Sequence, residues 1–380
     1  MKSRVVGAVL LGLGVLALVL AGGLAFIVAP TVEQLPYDMK PTQSIAEAPN
    51  ARFLQITNGV AAVNSGTLRS TVNVQPDARA TADLEGPLDG NAMVWLAGQQ
   101  VQRTDTGELV SAYSTSLAVD RRTAEAQPWD KQWLDTGNDR QSISYEGQIY
   151  KFPFGTERRT YEIFDRDING TQPAQFVGTE EIEGLETYRF VQDIRDGRQE
   201  VPADRMAVLL SQLLPGATSG EIRYNNTRTV WVEPTTGQYI KVQEQQNKAL
   251  VGDDGQSVTI LDAGFTYTDD TIRNAAETAG SNRQRLRLVG VYAPIALAVL
   301  GLILVVAGVV LVARGPRTAA AGVPGQRRSG RHAVESAPAA TDGPDADADA
   351  PPADIPPPAD SPPPADTARD ETQKIPHKAD

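Results

Sequence analysis

The sequence contains no cysteine. It therefore forms no disulfide, offers no thiolate to a metal, carries no cysteine nucleophile and has no cysteine to take a lipid. An exported domain built this way must be stable through its own core. Histidine is nearly absent: His332 and His377 are the two present, both close to the C-terminus. The long middle of the chain thus has no imidazole for a Ser-His-Asp triad, an HExxH zinc helix or a histidine metal cluster. No Gly-rich phosphate loop follows a strand pattern, and no GxSxG elbow occurs. Asp and Glu are plentiful, but a solvated surface normally carries them. No residue is assigned a catalytic role. The expectation is a protein that is not an enzyme and uses no cofactor.

Charge is missing from two long stretches. VVGAVLLGLGVLALVLAGGLAFIVA, Val5 to Ala29, is almost wholly apolar. As a helix it is roughly 37 Å long, enough to cross a hydrocarbon core of about 30 Å with some tilt. LVGVYAPIALAVLGLILVVAGVVLVA, between Arg287 and Arg314, is similar, with Pro294 near one end where a kink is tolerable. Val19-Leu20-Ala21 is a passable cleavage site. The apolar run is well beyond the ~7–15 residues of a signal peptide and continues past that site, so an uncleaved anchor is expected.

Lys2 and Arg4 precede the first span, and no Lys or Arg follows it until Lys40. Arg314, Arg317, Arg327, Arg328 and Arg331 follow the second span, against Arg283, Arg285 and Arg287 before it. Both asymmetries place the two termini in the cytoplasm. The expected layout is a cytoplasmic stub at 1–4, a transmembrane helix at 5–29 and an extracytoplasmic domain at 30–285. A second transmembrane helix at 286–313 and a cytoplasmic tail at 314–380 complete it. The middle domain is ample for a core of its own. Both its ends are tied to one membrane face, so it acts at or near the plasma membrane.

The net charge of −12 is concentrated in the tail. His332 to Asp380 holds eleven Asp/Glu against three Lys/Arg, or −8, within repeats such as IPPPAD and SPPPAD. That composition cannot bury enough apolar area to order itself and suits a solvated spacer of polyproline II character.

Between the spans the apolar period is mostly two. GTLRSTVNVQ, NAMVWLAGQQVQR, ELVSAYSTSLAV, QSISYEGQIYKF, RTYEIFDR, EGLETYRFVQDI, EIRYNNTRTVWVEP, GQYIKVQEQQ and SVTILDAGFTYT read as strands. Thr106-Gly107, Glu183-Gly184, Asp196-Gly197, Thr236-Gly237 and Asp254-Gly255 read as turns. The fold class is therefore mainly β, with a minor α component: an antiparallel, hairpin-rich sandwich or barrel between two transmembrane α-helices. Two helices interrupt it. VPADRMAVLLSQLLPGA has one strongly apolar face and is expected to pack on the sheet, the alternative being a flap facing lipid or ligand. TDDTIRNAAETAGSNRQRL, capped by Asp269 or Asp270, leads into the second span.

Asp165-Arg-Asp167-Ile-Asn169-Gly170 resembles the first half of a calcium loop. Asp165, Asp167 and Asn169 are the weak metal candidates, with Gly170 at the sixth position. The twelfth position, which should carry a bidentate Glu, is Phe176, and the ninth is Pro173. Asn169-Gly170 suits a hairpin turn, which is the simpler reading, and no metal site is expected. Trp95, Trp129, Trp133 and Trp231 have no basic stripe beside them, so they read as packing residues and no nucleic-acid partner is expected.

YKFPFGTERRTYEIFD, EEIEGLETYRF, NTRTVWVEPTTGQYIKVQEQ and the turn Asp120-Arg121-Arg122-Thr123 resemble the actinobacterial porin PorA family. The flanking spans sit as in that family, and the resemblance covers about Val5 to Val312. It implies a high-GC actinobacterial source and a place in the cell envelope, and it carries over no site residues. The name implies a channel. Yet a lipid-spanning β-barrel needs an unbroken apolar outer band, and these strands carry Arg189, Gln192, Asp193, Arg223, Arg228 and Glu233. Neither span carries a polar stripe that would line a helical pore. The leading expectation is a membrane-tethered ectodomain that binds or conveys a membrane lipid or envelope glycolipid. Its layout is similar to the scavenger-receptor class of lipid-tunnel proteins, with no shared motif. A channel component and a structural scaffold are the alternatives.

Overall fold

The computed structural model describes residues 2–137 and 140–314. The expected tail lies, from residue 315 onward, outside the described residues. Two helical segments are long and apolar enough to cross a membrane, Ser3–Val32 and Asp269–Arg314. The first comprises α1 (Lys2–Gly23), a wide π-turn at Leu24–Val28 and α2 (Ala29–Val32). The last comprises α5 (Asp269–Arg287), a π-turn at Leu288–Tyr292 and α6 (Ala293–Arg314). Each wide turn lies just before a proline, Pro30 or Pro294. A proline ring collides with the carbonyl four residues back, and a local π-turn relieves that collision without breaking the helix.

α1 and α6 pack antiparallel along four glycines spaced by seven. A Cβ on Gly14 would sit 2.7 Å from the Gly301 carbonyl oxygen, and one on Gly308 would sit 2.7 Å from that of Gly7. The backbones therefore touch, as small residues allow where no hydrophobic drive between helices operates. Val9, Leu16, Val19, Val299, Ile303 and Val306 point away from the pair and are exposed.

Everything between the helices is built on one antiparallel sheet of thirteen strands among the described residues. They are β1 (Thr42–Thr57), β2 (Val60–Pro76), β3 (Ala92–Arg103), β4 (Leu109–Asp120), β5 (Ala126–Gln127), β6 (Trp133–Asp135) and β7 (Gln141–Ser142). β8 (Tyr161–Asp165), β9 (Gly170–Ile182), β10 (Leu185–Gln199), β11 (Gly220–Glu233), β12 (Gln238–Gly252) and β13 (Ser257–Tyr267) follow. The order is β7-β6-β4-β3-β2-β1-β13-β12-β11-β10-β9-β8, with β5 beside β4. The mainly β, antiparallel class expected from the period-two pattern is what forms, and of the two architectures expected it is a barrel rather than a sandwich.

The sheet curls and is stitched shut through one residue. Gln148 donates from its amide to the Glu162 carbonyl at 2.8 Å, and its own carbonyl accepts from the Phe164 amide at 2.9 Å. On the other side the Ala126 amide donates to the Gly147 carbonyl at 2.9 Å. Gly147 has φ +65°, and a Cβ there would meet the Glu162 carbonyl oxygen at 2.6 Å, so the seam needs glycine.

Several expectations change in detail. QSISYEGQIYKF is not a strand beyond Gln141–Ser142; it is the irregular seam segment. Asp196-Gly197 is not a turn but a bulge inside β10, where Asp196 takes φ +56° and the register with β11 shifts. β1 was hidden by Pro49-Asn50, which also forms a bulge, with Asn50 at φ +55°. The cap of α5 is Thr268, whose hydroxyl accepts from the Thr271 amide at 3.3 Å, rather than Asp269 or Asp270. α4 (Ala203–Leu213) packs on the sheet: Leu209, Leu210 and Leu214 are buried with Ile222, Leu250 and Ile260. Its Gln212 side chain takes the Ala61 amide and donates to the Gly59 carbonyl, closing α4 over the β1–β2 turn. α3 (Ala78–Ala82) covers the outer face of β3.

Candidate functional site

Alternation along the strands sends one set of side chains inward. Outward lie exposed polar residues such as Arg69, Gln102, Asp193, Arg195, Arg223, Asn225 and Gln245. Such a surface suits water rather than lipid tails. Inward, the barrel encloses a cavity of about 1390 Å³. It starts where the helices leave the sheet, with Thr31, Val32, Leu286 and Val289 in its wall. It then runs past Val72, Val230, Val242 and Phe265 to Asp167, Arg228 and Lys248. None of Leu209, Leu210, Ile222, Leu250 and Ile260 lines it. The cluster under α4 therefore closes the far end, and α4 is not a flap over the cavity.

The far wall is an ionic network. Arg228 and Glu244 are register partners on β11 and β12, as are Tyr224 and Lys248. The Arg228 guanidinium donates to Glu244 at 2.5 Å, to Gln192 Oε1 at 2.8 Å and to Asp165 at 2.9 Å. Lys248 donates to Asp167 at 2.6 Å, and Gln199 does so at 3.1 Å. The Tyr224 hydroxyl donates to Asp165 at 3.3 Å. Arg166 lies 3.6 Å from Asp167, with its guanidinium 4.1 Å from the Tyr113 ring centre. Three cations thus meet three carboxylates. Burial pushes the Asp165 carboxyl above its usual range, and Arg228 offsets only part of this. Burial would raise Asp167 too, but Lys248 and Arg166 outweigh it and hold that carboxyl low.

The weak metal candidates are now placed. Asp165 ends β8, Asn169 takes φ +47° in the β8–β9 turn, and Gly170 opens β9. The hairpin-turn reading accounts for this geometry. Asp165 and Asp167 turn inward and are held by Arg228 and Lys248, so both carboxylates already have cationic partners. Among the described residues no group of three or more His, Asp or Glu side chains is arranged to hold a metal.

The near wall is different. Lys151 lines the cavity and donates to the Phe152 carbonyl at 2.8 Å, with its ammonium 3.7 Å from the Phe154 ring centre. No carboxylate lies within ion-pair distance of it among the described residues. Burial pulls its ammonium from 10.5 down to about 7, against the attraction of Glu233. The Glu233 carboxylate is occupied by the Thr235 and Thr236 amides and the Thr236 hydroxyl.

The segments that place Lys151 lock onto their neighbours through the backbone. The Phe152 amide donates to the Gly237 carbonyl at 2.8 Å, Phe154 to Arg122, Gly155 to Thr235 and Thr156 to Pro234. A Cβ on Gly237 would sit 2.0 Å from the Phe152 carbonyl oxygen. Arg121 donates to the Leu35 and Gly90 carbonyls and covers the Tyr37 ring, tying the end of the first helix to the β4–β5 turn. Leu185 of the β9–β10 turn packs with Ile240 and with Ala276 and Ala279 of α5. FPFGT, TTGQY, EEIEGLETYRF and the Asp120–Thr123 turn, far apart in the chain, thus converge around the helix-bearing end of the barrel.

The sequence singled out Asp165 and Asp167 of the far wall, but as a turn with weak metal candidates, and it did not single out Lys151. The far wall had a visible signal. Arg228 is in phase with Val230 and Val232, and Glu244 and Lys248 are in phase with Val242 and Leu250, so polar residues recur on an apolar face. Lys151 had none, because it sits in irregular backbone without a period.

A family model described as Porin PorA matches residues 6–310. Porin PorA of Corynebacterium amycolatum is 25% identical over 277 residues, covering 60% of this chain and 72% of that relative. Porin PorA of Corynebacterium resistens is 24% identical over 322 residues, covering 65% of this chain and 75% of that relative. The chain belongs to the porin PorA family.

Proposed function

We propose that this family member is a two-pass protein of the plasma membrane that holds and conveys a lipid or other amphipathic envelope component in its barrel, without catalysis. The observation that carries this reading is the cavity. At about 1390 Å³ it exceeds the ~300–1,000 Å³ of ordinary small-molecule pockets, and its mouth lies at the helix ends, where lipid would be. The flanking charges support cytoplasmic termini and an extracytoplasmic barrel. The polar outer surface supports a barrel standing in water beside the membrane rather than in it.

The family name favours a second reading, a channel component. In that reading the cavity is one segment of a conduit completed elsewhere, because the α4 cluster closes its far end within the chain. One preparation tests both. The full chain is purified in mild detergent, its organic extract is analysed by mass spectrometry, and its conductance is recorded in a planar bilayer. A stoichiometric lipid or glycolipid without conductance is the expected result. A folded, lipid-free protein that conducts would replace the first reading with the second.

A further inference from the structure

The cavity is unevenly supplied with hydrogen-bond partners. At the far wall every cation has a carboxylate. Lys40 and Arg285, which also line the cavity, are exposed. Arg121 is spent on two carbonyls. Lys151 alone among the cavity-lining cations is half-buried while holding only a single carbonyl and a ring face. Its ammonium has three N–H donors, so two are free.

Two more residues of the cavity lining carry a donor that is closed off from its space. Trp95, 2% exposed, has a buried indole N–H with no partner, and Tyr239 has a buried hydroxyl with no partner. The other buried side-chain atoms lacking partners among the described residues belong to Gln132, Gln148 and Asn226, none of which lines the cavity. Trp95 and Tyr239 both do. They sit on either side of the segment that carries Lys151: the Tyr150 ring is 6.4 Å from Trp95, and the Phe152 ring is 5.7 Å from Tyr239. The Trp95 and Tyr239 donors are closed off from the cavity space, so the spare N–H groups of Lys151 are the unmet donors that an entering acceptor can reach. A cation there selects an anionic acceptor, since charge-assisted hydrogen bonds are roughly twice as strong as neutral ones.

We infer that Lys151 is the headgroup contact for the anionic oxygens, carboxylate or phosphate, of an amphipathic ligand. The apolar part of that ligand lies along Val72, Val230, Val242 and Phe265. This rests on the reading of the cavity as a lipid site and deepens it by naming the charge of the ligand.

The test uses the full chain in detergent, titrated with three probes of one acyl chain: oleate, oleoyl lysophosphatidate and neutral monoolein. Native mass spectrometry reads the affinity of each. At least one anion is expected to bind ~10-fold or more tightly than monoolein, a difference of about 1.4 kcal/mol. Which anion leads identifies a carboxylate or a phosphate as the preferred group. Lys151→Met should collapse the preference in a protein whose melting transition is retained, and Lys151→Arg should keep most of it. Equal binding of anions and monoolein overturns the subsite and leaves the cavity reading standing. A preference that survives in Lys151→Met also overturns it. If none of the three probes binds, both the subsite and the cavity reading fall.

Discussion

The two ends of the barrel interior use the same kinds of residue in opposite ways. At the far end three cations and three carboxylates share one network, Arg228 serving Asp165 and Glu244 while Asp167 takes Lys248 and Arg166. At the helix-bearing end Lys151 lines the cavity with no carboxylate within ion-pair distance among the described residues, holding one carbonyl and a ring face. The lesson concerns how to read buried polarity. A satisfied network specifies a packing arrangement, because each member fixes the position of the next. An unsatisfied set costs folding energy and is kept where a ligand supplies the missing partners. Charge inside a barrel is therefore not by itself a sign of a pore or a site. Whether its partners are already present decides.

The comparison can be broken hardest at the far end. Arg228→Met leaves Asp165 and Glu244 buried without their cation. It should cost about 3–5 kcal/mol, as expected when one member of a buried pair is removed. Thermal denaturation of the full chain in detergent measures this. Adding Asp165→Asn and Glu244→Gln to the same variant should recover part of the loss, because the stranded charges are gone. A loss below ~1 kcal/mol for Arg228→Met alone would mean that the network is solvated and not structural.

The helix-bearing end should resist side-chain changes and fail through its backbone. Gly237 takes φ +70° and has the Phe152 carbonyl where a Cβ would be. Gly237→Ala should cost about 2–3 kcal/mol, combining a strained left-handed residue with displacement of the Phe152 segment. It should also open the cavity wall at Lys151. Faster proteolysis within 150–157 reports that opening; a variant that melts and resists protease like the wild type would show that this docking does not hold the wall.

How far the sequence foretold this arrangement depends on whether a feature has a period. The spans are legible because long charge-free runs have one common explanation, and most strands are legible from alternation. β1 escaped because Pro49-Asn50 breaks its alternation; the proline that argues against a strand here marks a bulge within one. The Asp165–Gly170 stretch was legible as a turn from Asn169-Gly170, but its burial was not. Whether Asp165 faces water or Arg228 is set by a residue 63 positions away. The helix pair was only half legible. Gly7, Gly14, Gly301 and Gly308 carry a spacing of seven that signals close approach, but only the pairing of the two spans gives it meaning. Lys151 was not legible at all, since its role follows from what surrounds it after closure at Gln148.

The prediction at Lys151 is the most discriminating. Lys151 titrates at about 7 in the folded chain, below its ordinary 10.5, because burial penalises the ammonium. A lysine depressed in this way destabilises the fold at any pH where the unfolded chain holds the proton and the folded chain is forced to share or shed it. The penalty is absent above about 10.5, grows as the pH falls, and is complete below about 7. Lys151→Met carries no such penalty. It should therefore melt above the wild type at neutral pH, with each kcal/mol worth ~2–4 °C in a domain of this size. The gap should narrow as the pH is raised from about 7 to about 9, because the wild type gains stability over that range while the variant does not. An anionic amphipath should close the same gap at constant pH, by raising the wild type through binding to the folded state. If Lys151→Met instead lowers the melting temperature at neutral pH, the ammonium is already satisfied in the empty barrel, and the contrast between the two ends disappears.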